Sequence, residues 1–147
     1  MITYCIGDAT APIQRPAAIL HVCNNVGAWG AGFVLAISKK WKLPEQRYRA
    51  RPSYSLGSID IISVENNIYV VNMIAQNNLG SNCNHIPLDY YALEKCLYHI
   101  HNSSLATTSF HMPRIGCGLA GGSWTKVEKI INNVCLSRDV YVYDLPK

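Results

Sequence analysis

The sequence predicts an α/β fold: a central sheet of about six strands, mixed and mostly parallel, with helices on both faces. Three observations predict it. Strand-like runs alternate with helix-like ones, as in chains built from β-α-β units. The longest strand-like runs, 17–23 and 68–75, have no polar face, which suits strands buried on both sides. The chain has 147 residues, 49% hydrophobic and 15% charged, enough for one domain with its own core and too few charges for disorder. One domain over 1–147 is therefore expected, with no internal repeat and no linker.

In chain order, residues 2–6 are a short β-like run closed by Gly7-Asp8. Pro12 and Pro16 mark a loop before the apolar run 17–23. A glycine-rich loop follows over 24–32. Phe33, Val34, Ala36, Ile37 and Trp41 then have helical spacing, and Lys39 and Lys40 suit the negative helix end. A second short helix is expected over 44–50, closed by Pro52. Residues 58–64 and 68–75, split by Glu65-Asn66-Asn67, read as a hairpin. The stretch 77–87 is polar and loop-like. Leu88, Tyr91, Ala92, Lys95, Cys96 and His99 place one stripe along a helix over 88–101. Residues 109–112 are a strand before Pro113, and a second glycine-rich loop spans 116–122. Ser123 reads as the N-cap of a helix to about Cys135, with Trp124, Val127, Ile130, Ile131 and Val134 inward. Residues 140–143 form the last strand.

The formal charge is +4, but it is local. Residues 39–51 hold six basic side chains against Glu45, and the remainder is slightly acidic. Two readings stand: a solvated helix end, or a surface for an anionic ligand or nucleic acid. None of the six cysteines forms a C-x-x-C pair, so no zinc spacing is visible, and His99-x-His101 lacks companion ligands. No metal and no cofactor are implied. No apolar run reaches membrane-span length, and the first eight residues lack a basic lead and reach Asp8. The expectation is a cytoplasmic monomer with reduced thiols.

The two glycine loops share one setting: each leaves a strand and enters a helix. Small residues let a backbone approach a ligand, and a helix N-terminus offers free N–H groups to an anion. Neither loop is a Walker A motif or a clean G-x-G-x-x-G. Paired at strand C-terminal ends, they suit a diphosphate or two sugars.

Gly7-Asp8, the run His21-x-Cys23-Asn24-Asn25-x-Gly27-x-Trp29-Gly30-Ala31-Gly32, and Pro113-Arg114-Ile115-Gly116-Cys117-Gly118-Leu119 before a Trp-containing helix resemble the macrodomains. The likeness is to the small stand-alone branch with the ADP-ribose-1″-phosphate phosphatases and the terminal ADP-ribose protein glycohydrolases. It covers almost the whole chain. It implies a three-layer α/β/α fold with an ADP-ribose pocket across the strand C-terminal ends. By position, Asp8 resembles the acid that accepts from the adenine amino group, beside Ala9. Gly30, Ala31 and Gly32 resemble the first phosphate and ribose loop. Gly116, Cys117, Gly118, Leu119, Ala120 and Gly121 resemble the diphosphate loop. Tyr143 falls where relatives place residues beside adenine, and a core role suits it equally.

Chemistry at C1″ of the distal ribose needs a positioned water, charge stabilisation and a proton path. His21, Asn24 and Asn25 surround the mouth of the first loop and are the candidate catalytic residues. His21 has a second reading, a core histidine on a buried strand. Asn72 and Gln76, at the end of an apolar strand, either face the distal ribose or serve loop backbone. The glycohydrolase branch uses a lysine on a central strand and an aspartate in the second loop. Here no lysine occurs between Leu43 and Glu94, and Ala120 stands at the acid's position. An amine-nucleophile route is thus disfavoured. Three functions follow from the resemblance. One is an ADP-ribose-1″-phosphate phosphatase. Another is a lysine-independent hydrolase freeing ADP-ribose from protein, nucleic acid or a small ester. The third is a non-catalytic reader of ADP-ribose derivatives.

Overall fold

The alternating direction of side chains along the strands decides how the layers form. In the computed structural model, which describes residues 2–79, 85–103, 105 and 107–147, ten elements appear. They are β1 (Ile2–Ile6), β2 (Ala17–Asn24), α1 (Phe33–Lys40), α2 (Leu43–Arg49), β3 (Ile59–Glu65), β4 (Ile68–Gln76), α3 (Tyr90–His101), β5 (Ser109–Met112), α4 (Trp124–Val134) and β6 (Val140–Asp144). The strands make one six-stranded sheet in the order β1-β6-β5-β2-β4-β3. All pairs are parallel except β3 with β4, the expected hairpin.

Side chains of β2 and β4 divide between two helical layers. Ala18, Leu20, Val71, Met73 and Ala75 pack with Leu93, Leu97 and Ile100 of α3 and with Val127 and Ile131 of α4. Ile19, Cys23, Val70 and Ile74 pack on the opposite face with Val34 and Ile37 of α1 and Tyr48 of α2. Over β6 the segment after β1 helps to close that face. Ala9 and Thr10 are buried, Ile13 N donates to the Tyr143 hydroxyl at 3.1 Å, and Lys40 Nζ donates to the Thr10 carbonyl at 2.7 Å.

Three local readings change. The third helix starts at Tyr90, after Asp89, whose carboxylate accepts from Ala92 N at 3.0 Å. Its buried stripe is Ala92, Leu93, Cys96, Leu97 and Ile100, which leaves Tyr91 80% exposed on the outer face. Leu88 lies before the helix and bridges to Gln76. Ser123 occupies the N-cap position of α4 without a side-chain capping bond; its backbone N–H donates to the Tyr90 hydroxyl at 2.8 Å. Cys5, Cys23, Cys96, Cys117 and Cys135 are free thiols, while Cys83 and part of the expected 77–87 loop lie outside the described residues. Among the described residues no helix is long and apolar enough to cross a membrane.

Candidate functional site

The neighbours β2 and β5 end at the same edge of the sheet, and their chains then part. After β2 the chain passes to α1 on one face; after β5 it passes to α4 on the other. Loops diverging from adjacent parallel strands open a crevice at their C-terminal ends. Two cavities occupy it. One, of about 340 Å³, includes Asp8, Ala9, Phe33, Tyr143 and Leu145 in its wall. The other, of about 280 Å³, includes His21, Val22, Ala31, Gln76, Gly116 and Leu119. Gly32, Phe33 and Pro113 line both, so the two cavities adjoin in one crevice.

The first loop is shaped by a buried asparagine. Asn24 Oδ1 accepts from Val26 N and Ala28 N, each at 3.0 Å, and from the Tyr48 hydroxyl at 2.9 Å. Its Nδ2 donates to the Ala28 carbonyl at 2.7 Å. Asn25 ties the loop to the segment after β4: its Nδ2 donates to Asn77 Oδ1 at 3.1 Å and its Oδ1 accepts from Asn78 N at 2.8 Å. Both side chains are thus committed to loop structure, and neither lines a cavity. The loop delivers Gly32, with φ of 84°, as the N-cap of α1, and no side chain caps that end. The first N–H groups of α1 therefore open beside Ala31 and Gly32 with the positive end of the helix.

The second loop is held by backbone contacts. Gly122 N donates to the Gly116 carbonyl at 2.8 Å, and Leu88 N donates to the Ala120 carbonyl at 3.0 Å. Gly116 takes φ of 73°, and a Cβ there would meet Leu88 at 2.6 Å. Leu119 crosses the cleft toward the first loop, and a Cβ on Gly32 would lie 3.3 Å from its Cδ1. Gly116, Gly118, Leu119 and Ala120 line the smaller cavity; Gly30, Cys117 and Gly121 line neither. Cys117 is half-buried, which raises its pKa, and its thiol donates to the Ile115 carbonyl at 3.4 Å.

His21 is buried on the floor of the smaller cavity. Asn72 Nδ2 donates to the Pro44 carbonyl at 3.1 Å, so its Oδ1 meets His21 Nε2 at 2.5 Å. That places the ring hydrogen on Nε2 and leaves Nδ1 an acceptor. Burial lowers the His21 pKa to about 4, so the ring is neutral at neutral pH. Trp29 stands edge-on to it at 5.4 Å and donates from Nε1 to Ser38 Oγ at 2.7 Å, as a packing residue. Asn72 thus serves His21 and the backbone, and Gln76 does both of the things expected of it: it lines the cavity, and its Nε2 donates to the Asn78 carbonyl at 3.0 Å.

At the other end, Asp8 Oδ1 accepts from the N–H and hydroxyl of Thr10, both at 2.8 Å. The turn fixes the carboxylate beside the larger cavity, and the other carboxylate oxygen makes no hydrogen bond among the described residues. Tyr143 is core and cavity wall at once. Its hydroxyl lies 2.7 Å from His111 Nδ1, and its ring runs beside Gly7. Phe33, Ala36, Pro113 and Leu145 line the cleft although sequence reasoning did not single them out. They are ordinary apolar residues, three at or beside element ends and Ala36 within α1, a pattern equally suited to packing.

No protein-family model matches the chain. Among solved structures, a protein of unknown function from Bacteroides thetaiotaomicron is 45% identical, with a TM-score of 0.92, covering 99% of this chain and 98% of that one. A macrodomain protein from Streptomyces coelicolor is 39% identical, with a TM-score of 0.83, covering 98% of this chain and 99% of that one. A curated relative from Lodderomyces elongisporus, named ADP-ribose 1″-phosphate phosphatase, is 21% identical over 97% of this chain and 99% of its own length.

Proposed function

Because the chain belongs to the macrodomain family, we propose that its cleft binds ADP-ribose derivatives and removes the C1″ phosphate of ADP-ribose 1″-phosphate. The observation that carries the reading is the adjoining pair of cavities, with residues of both glycine loops and the open end of α1 between them. In this reading adenine occupies the larger cavity. Its amino group donates to Asp8, and its ring lies along Tyr143. The diphosphate crosses the junction against backbone at Ala31, Gly32, Gly116 and Gly118. The distal ribose enters the smaller cavity beside His21 and Gln76.

The lining of that cavity favours a water-based route. Among the described residues it includes no lysine and no carboxylate, so none of them offers an amine or acid as a nucleophile. His21 is neutral, and its Nδ1, which the Cys23 thiol approaches to 3.9 Å, is the ring nitrogen that accepts from a water in this route. The water oxygen adds to phosphorus and the bond between phosphorus and the C1″ oxygen breaks. The water's proton ends on that oxygen, giving ADP-ribose and inorganic phosphate. The relative from Lodderomyces supports this choice of substituent by its name. A second reading is a non-catalytic binder, favoured by the same lack of carboxylate and amine.

The test is phosphorus NMR of the protein with ADP-ribose 1″-phosphate. Shifted diphosphate signals together with inorganic phosphate are expected. In His21→Gln the shifts should persist while phosphate release falls at least tenfold. Shifts without release in the wild-type protein would leave the binder, or a hydrolase for ADP-ribose carried on a macromolecule. Neither signal would overturn the ligand assignment.

A further inference from the structure

A cluster at the edge of the cleft joins the two ends of the second loop, and its arginine, Arg114, also lines the smaller cavity. Arg114 precedes that loop and Trp124 follows it. The Arg114 guanidinium reaches across β6 and bonds Asp144 in bidentate fashion, Nε to Oδ1 at 2.8 Å and Nη2 to Oδ2 at 2.9 Å. Its central carbon lies 5.2 Å from the Tyr4 ring centre and 5.3 Å from that of Trp124. Trp124 Nε1 donates to the Tyr4 hydroxyl at 2.9 Å, and that hydroxyl donates to Glu128. On the backbone side, the Arg114 carbonyl accepts from Cys117 N at 3.3 Å, the first turn of the loop. Arg114 therefore grips β1, β6 and the start of α4 with its side chain while its carbonyl begins the loop.

The chemistry of this grip is orientation. The Arg114 and Asp144 side chains are each 41% exposed, and such surface pairs add little to global stability. A planar fork held in plane by a carboxylate and lying against two rings is nonetheless fixed in direction, which a lysine cannot reproduce. The loop so bracketed supplies Gly116, Gly118, Leu119 and Ala120 to the smaller cavity.

We propose that Arg114 is a positioning residue: stapled to Asp144, Tyr4 and Trp124, it sets the spacing of the loop ends and so the diphosphate-facing wall of the cleft. The affinity consequence rests on the ADP-ribose reading; the loop consequence does not.

The experiment combines calorimetric titration of ADP-ribose with amide hydrogen exchange of the ligand-free protein and urea unfolding. Arg114→Ala and Arg114→Lys are both expected to weaken ADP-ribose binding about tenfold. Exchange at 116–122 should quicken in both, while the urea midpoint stays near the wild-type value. Asp144→Asn should match them, and the double variant Arg114→Ala with Asp144→Asn should be no weaker than either alone. Wild-type affinity and wild-type exchange in Arg114→Lys would overturn the proposal, because charge alone would then suffice. If the wild-type protein fails to bind ADP-ribose, the functional reading falls, and unchanged exchange in Arg114→Lys would separately sink the staple.

Discussion

The two glycine loops face each other across one cleft, yet they are built on opposite principles. The first is organised from inside by a polar side chain: Asn24 gathers two backbone N–H groups, a carbonyl and the Tyr48 hydroxyl. The second has no such organiser among the described residues. It closes on itself through Gly122 N and the Gly116 carbonyl, over Leu88, in space that admits no Cβ at either glycine. Glycine content therefore means different things in the two places. In the second loop it is a packing requirement at the base. In the first, a Cβ placed on Gly30 would meet nothing within 4 Å, Gly27 and Gly32 answer to positive φ of 79° and 84°, and the loop is held by the Asn24 hydrogen bonds.

The largest effect should come from the base of the second loop. A Cβ at Gly122 would sit 2.3 Å from Leu88 Cδ2 and 2.6 Å from the Gly116 carbonyl oxygen. The side chain can shift; the backbone oxygen can do so only by opening the loop. Gly122→Ala should cost about 3 kcal/mol in urea unfolding, the upper part of the overpacking range, and should abolish detectable ADP-ribose binding by calorimetry. A fully stable, fully binding Gly122→Ala would erase the packing half of the contrast.

The first loop should respond next, and differently. Asn24→Ala removes the acceptor of the Val26 and Ala28 N–H groups and leaves a gap at the buried Asn24 site; Val26 is half exposed and Ala28 half-buried, so water can reach the stranded donors. A lost hydrogen bond of this kind costs about 0.5–1.5 kcal/mol, so a loss of about 1–2 kcal/mol in urea unfolding is expected. ADP-ribose affinity should fall about tenfold as Gly32 loses its fixed approach to the cleft. Tyr48 keeps the Asn24 carbonyl as an acceptor at 2.6 Å, so its packing should survive. An Asn24→Ala protein of wild-type stability would mean that the loop's backbone suffices and that the hydrogen bonds merely decorate it.

What the sequence disclosed follows the same division. β2 and β4 were legible because unbroken apolar runs admit few alternatives, and parallel burial of both faces follows from them. The cleft's location was legible because two glycine loops end strands and start helices. Side-chain roles were not. Asn24 and Asn25 sit where a ligand-facing asparagine would sit, but their partners Tyr48, Asn77 and Asn78 lie 24 to 53 residues away. The basic stretch from Lys39 to Arg51 reads as one patch in the sequence. Folding brings Asp60 against Arg47, Glu45 pairs with Arg49, and Lys40 turns to the Thr10 carbonyl. Arg114 stands in the sequence as one member of a loop motif, while the carboxylate and rings that give it a task arrive from β6, β1 and α4. Periodicity reports burial; it carries no information on which distant polar group answers a given side chain.

The smallest structural effect, and the sharpest separation of folding from binding, is expected at the tip of the second loop. Gly118 lines the smaller cavity, and a Cβ there meets nothing within 4 Å. The steric demand that governs Gly116 and Gly122 thus ends before the tip. Gly118→Ala should leave the urea midpoint within about 0.5 kcal/mol of wild type, as substitutions away from packed or strained positions do. The added methyl nevertheless occupies the route assigned to the diphosphate, where close backbone approach depends on a missing side chain. ADP-ribose affinity should therefore fall several-fold by calorimetry with stability unchanged. If Gly118→Ala instead unfolds with Gly122→Ala, the loop is one packed unit and its tip owes its glycine to the fold. If affinity is also untouched, the diphosphate does not pass against Gly118, and the backbone at Ala31 and Gly32 beside the open end of α1 is left as its principal support.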